Sequence, residues 1–322
     1  MFDIIRHMRK LKIGSVELEN DLLLAPIAGY SDVGFRALAK KYGAGLTCTE
    51  MVSAKALMYG NEKTKDLLIT FDGENPCSVQ LFGSEPEVFE KVVKMPELEK
   101  FDIIDINMGC PAPKIYQNGD GSALLENIER AKEIVKACKR GTNKPITVKF
   151  RSGINENNII AVEFAKAMEE AGADAITIHA RTRSQGYSGK ADLSIVKSVK
   201  ESVTIPVIAS GDCVDKESYE NIIRETGVDG VMIARGALGR PEVFSEILNK
   251  RVSVNKLEDI YFHMNYLLNH YSERYVVLNM RTHISFYLKG MRVEPRIREM
   301  LLKEESIEKV KEMLEKIFKT QA

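Results

Sequence analysis

The chain has 322 residues, 44% of them hydrophobic and 29% charged, which is enough for one large domain with a sizeable core, or for one large and one small domain. Lys and Arg number 46, as do Asp and Glu, so the formal net charge of zero excludes a uniformly basic nucleic-acid binder but leaves room for a basic patch on one face. The five cysteines (Cys48, Cys77, Cys110, Cys138 and Cys213) form no C-x-x-C pair, which speaks against a metal site or a disulfide framework and fits a reducing compartment.

The N-terminus, MFDIIRHMRKLKIG, lacks a long apolar run after its basic residues, so neither a leader nor a membrane span is expected, and a cytoplasmic protein is. LKIGSVELEN reads as a hairpin turning at Gly14. A repeat follows, in which a short β-branched run gives way to Gly, Pro or polar residues and then to a helical stretch. The strand candidates are 22–26, 46–50, 77–82, 103–107, 146–150, 175–180, 206–210 and 230–234. Helices are expected near 32–42, 85–95, 123–140, 156–171, 192–201 and 215–226, with partial helix between the second and third strands. The period of 3.6 is clearest in IIAVEFAKAMEEAGA, which Gly172 closes.

Near-continuous apolar strands alternating with helices imply a parallel sheet covered on its outer side. Eight such units match a TIM (β/α)8 barrel. The alternative, an open doubly wound sheet, would place a Gly-rich turn after its first strand, and APIAGYSD is no G-x-G-x-x-G. The pattern changes after residue 240, and from about 255 only helical periods remain, interrupted at Pro295. We therefore expect a barrel domain over 1–245 and an all-α bundle of about four helices over 246–322, packed together without a low-complexity linker.

In such a barrel, chemistry gathers at the C-terminal strand ends. There the sequence places Pro26, Ile27 and Ala28, then Gln80, Asn107 to Pro111, Lys149 to Arg151, His179 to Arg181, Ser210 to Asp212 and Ala234 to Gly236. Gly211 and Gly236, with Arg235, fit a phosphate held after the last two strands, although tight turns alone would also use these glycines. Lys149, on an otherwise apolar strand, needs a partner, either a ligand or an ion pair within the rim. His179 admits a structural or a ligand-holding role. Cys110, between Gly109 and Pro111 in a loop, is the sharpest single residue, as an acid or as a nucleophile.

Taken together, LAPIAGYSDVGFR, VQLFG, DINMGCPAPKIYQNGDGSALL, ITVKFRSG, TIHARTRSQGYSG, ASGDC, IARGALGRP and MRTHISFYLKGM resemble the tRNA-dihydrouridine synthases, in that family's order and from about residue 13 onward. The resemblance implies FMN as cofactor, NADPH (or NADH) as reductant and tRNA as partner. It implies hydride addition at C6 of a uracil turned out of the RNA, and protonation of C5 by Cys110. It carries flavin contacts to Pro26, Ile27, Ala28, Gln80, Lys149, His179, Ser210, Gly211, Asp212, Ala234 and Arg235, and uracil contacts to Asn107, Arg151 and Gln185. The family often has Asn where Ser210 stands and Gly where Ala234 stands; backbone contacts there leave FMN binding intact.

For RNA contact the C-terminal helices offer Arg274, Arg281, His283, Lys289, Arg292, Arg296 and Arg298, interleaved with Tyr266, Tyr271, Tyr275 and Tyr287, though a charged helix face is often only solvated. No obligate protein partner is evident, and a monomer is expected. The rival readings are an FMN barrel dehydrogenase of a free small molecule, similar to the dihydroorotate dehydrogenases, and a non-catalytic RNA-binding protein.

Overall fold

The computed structural model describes residues 10–320; residues 1–9, on which the reading of the N-terminus rests in part, lie outside it. A hairpin opens the described chain: β1 (Leu11–Ile13) pairs antiparallel with β2 (Val16–Leu18). Eight parallel strands follow: β3 (Leu22–Leu24), β4 (Thr47–Ser53), β5 (Cys77–Phe82), β6 (Ile103–Met108), β7 (Ile146–Arg151), β10 (Ala175–His179), β11 (Val207–Ser210) and β12 (Gly230–Ile233). A small hairpin, β8 (Gly153–Asn155) with β9 (Asn158–Ile159), stands apart from them. The sheet order β3-β12-β11-β10-β7-β6-β5-β4 closes on itself through a parallel bridge between Leu23 and Leu46, giving the expected TIM barrel.

Side chains alternate along each strand, so one set faces the helices and the other the barrel axis. The outer set is apolar. Ile104, Ile106, Val148 and Phe150 are fully buried under the helices, and the Phe150 ring lies 5.0 Å from that of Phe164. Burial of each such side chain contributes about 1.5–3 kcal/mol. The inner set changes character with height. At the N-terminal ends Leu23, Leu46, Ile103, Ala175 and Ile208 cluster with Leu11, Ile13 and Leu18, so the first hairpin plugs the base. Above them the axis is polar, carrying Asp105, Thr147 and Gln80 and then Asn107, Lys149 and His179. The parallel rise of all eight strands brings every C-terminal end to this one rim.

Two helical expectations need correction. Helix was expected from 156, but residues 153–159 form the β8–β9 hairpin, because Asn155 turns the chain by accepting from the Asn157 amide (3.0 Å); the helix starts at Ala161. The stretch expected at 123–140 is a 3₁₀ turn, Gly121–Glu126, followed by the helix Ile128–Gly141, whose start is set by the Asn127 side chain capping Arg130 N. Short helices Pro113–Gln117 and Val243–Ile247 were not foreseen.

The C-terminal segment forms four helices: Lys256–Leu268, Glu273–Tyr287, Pro295–Lys303 and Ile307–Lys319. Their inner faces, including Ile260, Met264, Met280 and Leu314, belong to one continuous apolar core with Phe35 and Leu38 of the helix Val33–Lys41. Polar groups fix the angle of contact. Buried Asp259 accepts from the Tyr42 hydroxyl (2.6 Å) and the Lys41 ammonium (2.8 Å). Asp32 caps the helix Val33–Lys41 and lies 2.8 Å from His263 Nε2 and 3.3 Å from His283 Nε2. No helix among the described residues is long and apolar enough to cross a membrane.

Candidate active site at the barrel mouth

The loop after β6 presents Cys110, half-buried, at the mouth. Two residues hold it. Asn107 Oδ1 accepts from the amides of Gly109 (3.1 Å) and Cys110 (2.9 Å), while its Nδ2 donates to Gln80 Oε1 (2.8 Å). Arg151, 3% exposed, donates to the carbonyls of Gly109 (2.9 Å), Thr182 (2.9 Å) and Gly186 (2.8 Å), stapling the Cys110 loop to the loop after β10. Ser122 closes the far side by donating twice to the Cys110 carbonyl. Asn107 and Arg151, expected to touch a base, are thus fully engaged in holding backbone. Gln185 is exposed; its Oε1 accepts from Thr182 N (2.7 Å).

Beneath the thiol lies a buried polar chain. Asp105 accepts from Gln80 Nε2 and from Thr147 Oγ1, both at 2.6 Å, and Gln80 continues the chain to Asn107. Strand register dictates this order, since Gln80 pairs with Asp105 and Asp105 with Thr147. Burial raises the Asp105 carboxyl to about 6, against the hydrogen bonds of Gln80 and Thr147 and the charge of Lys149. Lys149 pairs in register with Asn107 on one side and Thr177 on the other. Burial, and then Arg151, lower its ammonium to about 8, opposed by Asp105 and the nearby Cys110 sulfur. Among the described residues Lys149 has no hydrogen-bond or ion-pair partner, so the ion pair considered from sequence is absent and a buried cation faces the mouth.

Around the last strands the site is cationic. His179 is depressed to about 2 by burial first, then by Lys149, Arg151, Arg181 and Arg235. It is therefore neutral. Arg181 Nη1 lies 3.3 Å from His179 Nε2, and a guanidinium only donates, so Nε2 accepts and Nδ1 carries the proton. Arg181, 2% exposed, also grips Asp212 at 2.8 and 2.9 Å and the carbonyls of Ser188 and Gly189. Burial would raise Asp212, but the Ala191 amide and Arg181 bring it below its ordinary value. Its carboxylate is thus occupied, and what it offers a ligand is backbone. Gly211, at φ +115, sits where a Cβ would come 3.0 Å from the His179 ring; at Gly236 a Cβ would come 2.4 Å from the Cys213 carbonyl. Both glycines let backbone approach closely beside half-exposed Arg235, next to Ser210 and Ala234 at their strand ends. Across the mouth, Pro26, Ile27 and exposed Ala28 form a tight turn, held by Ile27 N donating to Ser31 Oγ (2.7 Å) and Gly29 N to Glu50 (2.5 Å).

This donor set fits a flavin phosphate: two glycine approaches, one half-exposed guanidinium and a neutral imidazole. Gln80 fits less directly, being fully buried with its amide engaged on both sides. Two residues at the centre of the site went unremarked in the sequence. Asp105 carried the same signal as Lys149, a charge inside an apolar strand. Arg181 carried no comparable signal, because nothing local distinguishes a buried arginine from a solvated one. On the helical side, His283 (1% exposed) and Tyr287 (0%) are core residues and are corrected as RNA contacts. Arg281 and Arg298 bond to backbone carbonyls, whereas Arg274, Lys289 and Arg296 are exposed.

Comparison with known proteins gives a consistent picture. The family model described as Dihydrouridine synthase (Dus) matches residues 23–322. The "Probable tRNA-dihydrouridine synthase" of Rickettsia conorii is 38% identical over 292 residues, covering 87% of this chain and 88% of its own. The "tRNA-dihydrouridine synthase B" of Vibrio parahaemolyticus is 37% identical over 289 residues, covering 87% and 89%. Among solved structures, histamine dehydrogenase from Rhizobium sp. 4-9 superposes with a TM-score of 0.58 at 14% identity, over 80% of this chain and 50% of that one. The 6-hydroxypseudooxynicotine amine oxidase of Pseudomonas geniculata N1 gives 0.60 at 13%, over 75% and 49%. The chain spans about half the length of these two enzymes, and at such identities the likeness is one of fold.

Proposed function

Because this chain belongs to the dihydrouridine synthase family, we propose that it reduces the C5=C6 bond of uridines in tRNA to 5,6-dihydrouridine, with FMN as cofactor and NADPH as reductant. The observation that carries this reading is the Cys110 thiol at the mouth of a polar barrel, beside a buried ammonium without a partner. When bound, the flavin supplies the hydride that C6 of the uracil takes up. Cys110 gives its proton to C5 and is reprotonated from solvent. Asn107 and Arg151 act at one remove, fixing the loop that aims the sulfur.

Lys149 and His179, with Pro26, Ile27, Ala28 and Gln80, hold the flavin ring in this reading. Ser210, Gly211, Asp212, Ala234 and Arg235 hold its phosphate. The positive charge of Lys149 favours an electron-rich ring, and neutral His179 adds a donor at Nδ1 without adding charge. Gln185 meets the uracil through its amide NH₂. The helical segment 246–322 grips the tRNA through exposed cations such as Arg274, Lys289 and Arg296. The setting is the cytoplasm and the working unit a monomer.

The test is direct. Purified protein loaded with flavin, given NADPH and an unmodified tRNA transcript, should add two hydrogens to defined uridines, read by mass mapping. Turnover of a free pyrimidine acid, with the tRNA left unchanged, would replace this reading with the small-molecule one.

A further inference from the structure

Beside the Cys110 loop stands a rim of alternating rings and guanidinium groups that the proposed reaction leaves unused. The Arg183 guanidinium lies 3.5 Å over the ring of Tyr116, and its Nε is buried with no hydrogen-bond partner. The Tyr187 ring lies 5.1 Å from Arg235 and 5.7 Å from Arg151, and Tyr187 is 61% exposed. Residues 181–190 carry two arginines and one lysine and no acid.

The loop that presents Tyr187 is held at its base. Arg181 binds the carbonyls of Ser188 and Gly189, Arg151 binds that of Gly186, and Gln185 folds back on Thr182. A large ring on so constrained a loop loses little freedom when it meets a partner. Its solvent-facing position gives it no part in the core, and its cationic surroundings select for an anionic or π-rich ligand.

We propose that Tyr187, Arg183 and Tyr116 form a stacking platform for the unstacked nucleotides that flank the target uridine, an inference that rests on the RNA-substrate reading above. A uridine turned out of a folded RNA leaves its neighbours without stacking partners. Rings and guanidinium planes accept the face of any base, and the guanidinium also meets phosphate. The platform lies at the lip of the barrel, next to Gly186 and the Arg151 staple that holds Cys110. It therefore engages the strand where the target base leaves it, whereas the C-terminal helices hold the body of the tRNA.

Flavin-loaded wild type, Tyr187→Ala, Tyr187→Phe and Arg183→Met are compared by anisotropy binding to an unmodified tRNA transcript and by steady-state uridine reduction. Tyr187→Ala should weaken binding and raise KM about tenfold, within the range expected for losing one stacked base, while flavin content and visible spectrum stay as in wild type. Tyr187→Phe should restore both constants, since the ring and not the hydroxyl carries the effect. Arg183→Met should weaken binding and reduce the salt slope by about one. Wild-type constants in Tyr187→Ala, a Tyr187→Phe as poor as the alanine variant, or loss of flavin from Tyr187→Ala each overturns the platform. If wild type reduces uridines and Tyr187→Ala does so equally well, the platform fails and the reaction stands. If wild type binds RNA in a Tyr187-dependent way but reduces no uridine, the reaction fails and the platform stands. No RNA binding by wild type sinks both.

Discussion

Replacing Asn107 by Ala tests whether this residue aims the thiol or touches the base. The side chain makes three hydrogen bonds, to the amides of Gly109 and Cys110 and to Gln80 Oε1, and Asn107 is 9% exposed. Each lost bond costs about 1 kcal/mol, and leaving the buried Gln80 acceptor unpaired raises the total to roughly 3–5 kcal/mol. The Cys110 loop loses its turn, and displacement of a reacting group by about 1 Å costs on the order of 100-fold in rate. Asn107→Ala should therefore lower kcat for uridine reduction about 100-fold and shift the urea midpoint down, with flavin still bound. Asn107→Asp keeps an acceptor for both amides but cannot donate to Gln80, and it sets a second carboxylate close to Asp105. It should recover part of kcat without recovering stability. Single-turnover reduction and urea melts on the flavin-loaded proteins provide both readouts. A rise in KM with kcat unchanged in Asn107→Ala would refute the positioning role and return Asn107 to direct contact with the uracil.

Cys110→Ala should keep its flavin and its fold and lose uridine reduction by at least 100-fold, the size of a missing general acid; normal turnover in stopped-flow or mass assays removes Cys110 from its role. Acid stability follows from two opposed groups. His179, held at about 2 against an ordinary 6.5, takes up its proton only on unfolding, so stability falls as the pH drops below 6.5, by roughly 2 kcal/mol at pH 5 at about 1.4 kcal/mol per unit. Asp105, raised to about 6 from 3.8, binds its proton first in the folded state and returns roughly 1.4 kcal/mol over the same descent. Asp105→Asn should therefore steepen the loss between pH 6.5 and 5 in urea titrations, and an unchanged slope contradicts the assignment. Asp259→Ala strands the buried Tyr42 hydroxyl and the Lys41 ammonium at the seam with the C-terminal helices, and should cost about 2–4 kcal/mol in the same melts. Stripping the flavin should lower the melting temperature, with recovery that tracks added FMN concentration.

The sequence alone determined the barrel, because alternating strand and helix periods are local properties that every outer-facing Ile, Val and Phe reinforces. It also determined which residues stand at the rim, since strand ends are readable from composition: Cys110, Lys149, His179 and Arg235 all lie there. Only the tertiary structure decided what those residues touch. Whether Asn107 faces a ligand or an amide, whether Arg151 meets a base or three carbonyls, and whether His283 is a surface or a core residue depend on contacts between segments far apart in the chain. Register between strands set the Gln80–Asp105–Thr147 chain, and the seam of Asp32 and Asp259 set where the helices sit. Such contacts leave no periodic trace, because a buried arginine or histidine is made tolerable by one distant partner and not by any pattern around it.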